Sequence, residues 1–313
     1  MKKHIPIFFA CDERYLPYLA VSVKSISDHA SDSYVYDVRV LSDGISPEGL
    51  ATLRQLECER VRIYYVPMAE KLKGIRTRLE SRLRDYYSLS IYYRMFIPSM
   101  FPELDRAIYI DCDTVLNTDI AELFTVELGD ALLGAVADES IPGVPEFSEY
   151  VEKWVGVPKE RYFNSGVLVM NLEGLRESGF EDRFSELLMR YNFDTVAPDQ
   201  DYLNYICMGR VHYLDAVWNK QPIPNNLLAP DRVKLFHYNM FNKPWHYDGV
   251  AYEEAFWSVA SQSPFAKFIS EEKLSYTDVE RHKDIEGGRR LIEKAGALAK
   301  SSGGFRESLH ILK

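Results

Sequence analysis

Cysteine is scarce in this chain, with four in 313 residues and no pair in Cys-x-x-Cys spacing. Neither a zinc knuckle nor a thioredoxin-type redox site is indicated, and a chain of this length has no need of disulfides. Basic charge is also short: 37 Lys and Arg stand against 47 Asp and Glu, a formal net charge of −10. General nucleic-acid binding needs a basic surface and is set aside. An anionic ligand would need local neutralisation, by a metal or by a few placed basic residues. No apolar run approaches the roughly 18 residues of a transmembrane helix. Met1-Lys2-Lys3 with the apolar residues 5–11 mimics the start of a signal peptide, but the run is short and Asp12 ends it. A cytoplasmic protein is therefore expected. No Gly-x-Gly-x-x-Gly follows the first strand, so a dinucleotide oxidoreductase is set aside. There are no internal repeats, and Ser301-Ser302-Gly303-Gly304 reads as a flexible stretch.

What is present suits an ordinary globular protein, with 46% hydrophobic and 13% aromatic residues. The pattern predicts strands at 5–10, 35–41, 61–66, 107–110, 132–137, 211–214 and 233–236, and one inside 164–172 between polar ends. Helices are expected at 15–30, where Leu16, Leu19, Val23 and Ile26 recur at spacings of three and four, and at 47–57 behind Ser46-Pro47. Others are expected around 120–124, with Asp119 and Glu122 as a capping box, and at 176–192 and 200–208. Residues 67–100 read as mostly helical and partly basic (Lys71, Lys73, Arg76, Arg78, Arg82, Arg84), and 139–148 as a loop. The β-α-β-α-β order implies a largely parallel sheet. From about 258 the chain becomes charge-dense.

The stretch Tyr109-Ile110-Asp111-Cys112-Asp113 ends a buried strand with two carboxylates one residue apart. Carboxylates that close repel unless a cation or a proton sits between them. A hard divalent metal with a bound pyrophosphate fits such a pair; a solvated acidic loop is the alternative. Other polar groups also stand at strand ends: Asp12 with Tyr15, Asp138, Asn164, Asp199-Gln200 and His237 to Lys243. In a parallel sheet such ends converge on one crevice.

Six blocks now make a family visible: Phe9-Ala10-Cys11-Asp12-x-x-Tyr15, Tyr93-Arg94, Tyr109-Ile110-Asp111-Cys112-Asp113, Tyr162-Phe163-Asn164-Ser165-Gly166-Val167, Asp199-Gln200-Asp201-x-Leu203-Asn204, and His237-Tyr238-x-x-x-x-Lys243-Pro244-Trp245. In this order, over about residues 5–246, the chain resembles the retaining glycosyltransferases of family 8. These include bacterial lipopolysaccharide galactosyl- and glucosyltransferases and glycogenin. The resemblance implies an α/β GT-A fold, a mixed, mostly parallel sheet flanked by helices, with residues 1–257 as catalytic domain and 258–313 as a small helical C-terminal extension.

It also implies roles. Asp111, Asp113 and His237 match the metal ligands, and mixed O/N ligation suits Mn²⁺ better than Mg²⁺. Ala10, Asp12 and Tyr15 match the uracil end of a UDP-hexose site, the Cys112 backbone lies near the ribose, and Lys243 matches the diphosphate lysine. Asp12 could instead cap the helix near residue 15, or do both. Arg94, Asp138, Asn164, Asp199 and Gln200 match the donor-sugar side; a structural ion pair for Arg94 and an N-cap for Asp199 are the plainer readings. Met240 is a departure, since the family usually has glycine three residues after the histidine.

The expected reaction moves galactose or glucose from a UDP-sugar to a glycan or glycolipid acceptor. Gln200, a poor nucleophile, favours a front-face mechanism; double displacement through Asp199 or Asp201 is the alternative. A non-transferring nucleotide-sugar binder and a self-glucosylating protein are the other readings. The tail is expected to pack on the catalytic domain or to be solvated, with a weak peripheral contact at the inner membrane face as the lesser alternative. Oligomeric state is not readable.

Overall fold

The computed structural model describes residues 2–81 and 88–311; Arg82 and Arg84 lie outside them. Among the described residues nine strands run in chain order: β1 (Lys3–Ala10), β2 (Tyr34–Ser42), β3 (Val61–Pro67), β4 (Arg106–Ile110), β5 (Thr114–Leu116), β6 (Leu133–Ala137), β7 (Phe163–Asn171), β8 (Val211–Tyr213) and β9 (Leu235–His237). Among the described residues, seven form one sheet in the order β3-β2-β1-β4-β7-β6-β8, and β5 pairs with β9 in a second. Within the seven-stranded sheet pairing is parallel except where β7 runs antiparallel to β4 and β6, and the β5–β9 pair is antiparallel. The sheet is thus mixed and mostly parallel.

The central strands are apolar without alternation because both faces are covered. Ile7 and Phe9 of β1, Ile108 and Ile110 of β4, and Val167 and Val169 of β7 pack with Leu16, Leu19 and Val23 of the helix Leu16–His29. Phe8, Tyr109, Leu168 and Met170 face the other way, toward Tyr202 and Leu203 of the helix Pro198–Ile206 and Phe184 of the helix Phe180–Arg190. A third cluster joins Tyr18, Phe236, Tyr238 and Trp245 to Phe256 and Ile269.

Several local expectations need correction. The helix expected at 176–192 is two, Leu172–Glu177 and Phe180–Arg190, split at Gly179 (φ +66°). The loop expected at 139–148 gives way to a helix, Pro145–Tyr150, which runs on into a wider turn, Val151–Val155. Asp119 accepts the Ala121 N–H at 2.8 Å, but no capping box forms, because the Glu122 carboxylate is taken by Thr118 and Lys234. Residues 301–304 are not a loose connector: the backbone of Gly304 sits against Trp154, and Phe305 is fully buried beside Phe193, Tyr202 and Tyr205. Among the described residues, no helix is long and apolar enough to cross a membrane.

Candidate functional site

The strand directions bring the polar strand ends together. β1 runs parallel to β4, so Ala10 and Asp12 lie beside Asp111–Asp113, and the Cys112 thiol donates to the Ala10 carbonyl at 3.3 Å. β7 runs the other way, so its first residues, Asn164 to Gly166, meet the end of β4; the Asp111 N–H donates to the Gly166 carbonyl at 2.8 Å. β6 is antiparallel to β7, which sets Asp138 beside Asn164. β9 pairs with β5 so that His237 stands opposite Thr114, next to Asp113. The result is a cleft of ≈ 420 Å³ lined by all thirteen residues singled out from the sequence, Ala10, Asp12, Tyr15, Arg94, Asp111, Cys112, Asp113, Asp138, Asn164, Asp199, Gln200, His237 and Lys243.

Asp111, Asp113 and His237 each offer one ligand atom, all within 4.8 Å of one another. The histidine tautomer follows from its neighbours. Asp138 can only accept, so the Asn164 amide nitrogen faces it at 3.2 Å, and the Asn164 oxygen accepts the Gly166 N–H at 3.0 Å. That oxygen also accepts from the Asn219 amide nitrogen at 2.9 Å, which turns the Asn219 oxygen toward His237 Nδ1 at 2.7 Å. Nδ1 therefore carries the hydrogen, and Nε2 faces Asp113 at 3.3 Å and Asp111 at 3.8 Å. Gly166 makes room for the group: a Cβ there would stand 2.3 Å from His237 Cε1 and 2.6 Å from Asp111 Oδ2. This donor set, two carboxylate oxygens and an oriented imidazole beside a glycine cradle, fits a divalent cation.

Arg94 ties the two halves of the cleft. Nearly buried, it donates to Asp111 Oδ1 at 2.9 Å and the Ser165 carbonyl at 2.6 Å, lies 3.2 Å from Asp199, and sits 4.1 Å over the Tyr109 ring. Burial opposes its charge, but Asp111 and Asp199 outweigh that and raise its pKa. With its donors directed at protein groups, it acts first as the ion pair of the plainer reading. Burial works against the Asp113 charge too, yet Lys243 and His237 hold its carboxyl below the usual range. Lys243 is buried, donates to Asp113 and to the Tyr238 carbonyl, and its pKa is raised against the opposing effect of burial, chiefly by Asp113. Asp199 shifts opposite to Asp113, raised by burial while Arg94 pulls it down.

The helix Pro198–Ile206 is fixed to β7 by Asn204, which exchanges hydrogen bonds of 2.8 Å with the Phe163 backbone. Its first turn presents Gln200, whose oxygen accepts the Ser165 N–H at 2.9 Å and whose nitrogen donates to Asp138 at 3.0 Å. Asp201 points away, fully buried under the hydroxyls of Tyr150 and Tyr162, each at 2.6 Å. Asp12 is the N-cap of the turn Glu13–Tyr15, accepting from the backbone of Arg14 and Tyr15 with Oδ1, while Oδ2 faces Arg14 at 3.3 Å. Met240 adopts φ +61°. This is a left-handed backbone, which glycine adopts more readily than a side-chain-bearing residue.

Sequence reasoning did not reach Asn219 or Gln221, and it gave no role to Ser165, although that residue stands in the block Tyr162–Val167. Asn219, Lys220 and Gln221 are three consecutive polar residues, each about 1% exposed.

The family model for glycosyl transferase family 8 matches residues 6–249. A Haemophilus influenzae protein named as a glycosyltransferase is 28% identical over 251 residues, 77% of this chain and 72% of the relative. The lipopolysaccharide 1,2-glucosyltransferase of Escherichia coli K12 is 26% identical over 296 residues, covering 86% of this chain and 83% of that one. Among solved structures, the galactosyltransferase LgtC, in complex with donor and acceptor sugar analogues, superposes with TM-score 0.69 and 27% identity over 83% of this chain and 96% of LgtC. The bifunctional glycosyltransferase WbbM superposes with TM-score 0.74 and 26% identity over 88% of this chain, which spans about half (52%) of WbbM. The sheet is accordingly a GT-A sheet, and this chain belongs to glycosyl transferase family 8.

Proposed function

We propose that this protein is a retaining, metal-dependent hexosyltransferase. It moves galactose or glucose from a UDP-sugar to a saccharide or glycolipid acceptor and releases UDP. The observation that carries this reading is the Asp111–Asp113–His237 triangle, with its imidazole nitrogen turned toward the carboxylates inside a cleft lined by every donor-side residue expected from the sequence. A divalent cation held there supplies Lewis-acid neutralisation of the diphosphate leaving group, and the O/N donor set favours Mn²⁺ over Mg²⁺. Six carboxylates, Asp12, Asp111, Asp113, Asp138, Asp199 and Asp284, line the cleft against three cationic side chains, Arg14, Arg94 and Lys243, so it has a formal negative excess that a dication reduces.

Lys243 is the point charge for the diphosphate. Tyr15 and Asp12 take the base, Asp12 with Oδ2, since Oδ1 is occupied in capping. Asp138, Asn164 and Asp199 hold the hexose hydroxyls by charge-assisted and neutral hydrogen bonds. The transfer runs on the front face: the acceptor oxygen bonds to the anomeric carbon as the carbon–phosphate oxygen bond breaks, and the acceptor proton passes to the departing phosphate. The cleft's carboxylates support this route over double displacement. Asp199 is paired with Arg94 and Asp201 is buried under two tyrosines, while Gln200 offers only an amide. The cell-surface glycan named for the Escherichia coli relative makes a lipopolysaccharide-type acceptor, reached from the cytoplasm, the first to try.

The test is UDP release by the purified chain with UDP-galactose and UDP-glucose, in Mn²⁺ and after chelation. One donor should turn over, EDTA should abolish release, and added Mn²⁺ should restore it. Undiminished release in excess EDTA would remove the metal from the reading. UDP binding by titration calorimetry without release from either donor, across an acceptor panel, would instead indicate a nucleotide-sugar binder.

A further inference from the structure

The loop that follows β9 carries both His237 and Lys243, yet it has little structure of its own. Its internal backbone bonds are short-range, from Lys243 N–H to the Phe241 carbonyl at 2.9 Å and from the His246 and Tyr247 N–H groups to the Lys243 carbonyl at 3.0 Å. Tyr18 and Asp113 hold Trp245 and Lys243, but Phe241, His246 and Tyr247 meet residues 272–287, beyond the span that the family model matches.

The contacts alternate along the loop. Phe241 packs on Gly287 of the helix Asp278–Leu298, so closely that a Cβ on Gly287 would stand 2.9 Å from the ring. His246 stacks on Tyr276 with centroids 3.7 Å apart and planes within 7°, and its Nε2 lies 3.1 Å from Glu272. The same Glu272 accepts from the Tyr18 hydroxyl, and Tyr18 stacks on Trp245 at 3.9 Å and meets Tyr15 edge-on at 5.4 Å. Tyr247 and Tyr276 both donate to Asp284, each at 2.7 Å, and the Arg281 guanidinium lies 5.0 Å from the Tyr247 ring. Trp245 in turn lies under Lys243, 5.4 Å from its ammonium.

We infer that the C-terminal segment is a positioning element of the donor site. Glu272, Tyr276, Asp284 and Gly287 hold the loop 240–247, and through it Lys243, in the geometry that receives the diphosphate of a nucleoside diphosphate. Asp284 is the centre of this contact. A carboxylate accepting two phenol hydroxyls is a charge-assisted pair that aligns one ring of the loop with one ring of the tail. Gly287 sets how near the tail helix approaches, because any side chain there must displace Phe241. Glu272 links the same tail to Tyr18 and thence to Tyr15 on the base side. The inference rests on the reading of the cleft as a UDP-sugar site.

The experiment is calorimetric titration of UDP in Mn²⁺ on the full chain and its variants, with a thermal melt of each. Asp284→Ala removes the acceptor of both hydroxyls, and Gly287→Leu displaces Phe241. Each should weaken UDP binding on the order of tenfold, the loss expected for one or two such bonds, with the donor KM rising by a similar factor. Asp284→Asn keeps an accepting oxygen and should fall between. Gly288→Ala is the control, because its Cβ would make only ordinary contact with Phe241 at 3.9 Å; its affinity should stay within about twofold of the parent. If Asp284→Ala does not fold, the double variant Tyr247→Phe with Tyr276→Phe carries the same test. Folded Asp284→Ala and Gly287→Leu variants that bind UDP as tightly as the parent would overturn the inference, as would an equal loss in Gly288→Ala. Failure of the parent chain itself to bind UDP would overturn the donor reading instead.

Discussion

At the scale of single residues, orientation matters more than presence. His237 is useful as a ligand because Asn219, Asn164 and Asp138 fix its hydrogen on Nδ1. Asn219→Leu should therefore lower Mn²⁺ affinity by roughly 10–100-fold, the usual loss when the partner of a ligating histidine is removed. Mn²⁺ titration followed by electron paramagnetic resonance measures it, and an unchanged affinity would mean the relay is idle. Gln200→Ala should bind UDP-sugar normally but slow transfer on the order of 10²-fold, as loss of a positioned dipole does; normal turnover would remove Gln200 from the reaction. Asp201 gives a pH prediction. Burial pushes its carboxyl up to about 7, against the pull of the Tyr150 and Tyr162 hydroxyls. In the unfolded chain the group ionises near pH 4. Between pH 4 and 7 the unfolded state then sheds a proton that the folded state keeps, so stability falls as pH rises. The stability of the parent relative to Asp201→Asn should decline by up to roughly 4 kcal/mol across that window. Urea denaturation at pH 5 and pH 8 checks it, and a difference that does not change with pH would show Asp201 ionised throughout.

At the scale of elements, the active surface depends on what lies behind it. The helix Pro198–Ile206 carries Asp199 and Gln200 on one side and Tyr202 and Tyr205 on the other, where Phe305 packs between them and Phe193. Phe305→Ala should lower the unfolding free energy by about 3–5 kcal/mol, as for other fully buried phenylalanines. A loss under about 1 kcal/mol in urea denaturation would mean that the tail contributes little to the fold. The loop after β9 shows a related economy, in which Met240 holds a backbone conformation usual for glycine.

At the scale of the whole molecule, charge and packing both bear on membrane contact. The chain carries a formal net charge of −10. On the tail helix Asp278–Leu298, Gly287, Leu291 and Ala295 are buried. Its exposed large apolar side chains, Val279 and Ile285, lie six residues apart and on different sides of the helix, too small a face to insert into a bilayer. The protein should remain in the supernatant with anionic vesicles at about 0.15 M salt, where the Debye length is near 8 Å. Co-sedimentation that persists at that salt would favour the peripheral-membrane alternative for the tail.

Much of this was written in the linear sequence. Short unbroken apolar runs rich in β-formers, such as Ala107–Ile110, read as strands buried on both faces, and each ends in a polar group because a strand end meets solvent or ligand. The Asp111/Asp113 pair, His237 and the six ordered blocks named the family. Local boundaries were less legible where one residue sets them, as with Gly179 between two helices. The tertiary structure alone decided the rest. Only the antiparallel insertion of β7 sets Asn164 beside Asp111 and Asp138. Asn219 has no sequence signal, since a hydrogen-bond relay depends on which groups meet across strands and not on spacing along them. The tail reads as a charged helix of weak periodicity, because its partners are single residues, Phe241, His246 and Tyr247, brought to it by the fold.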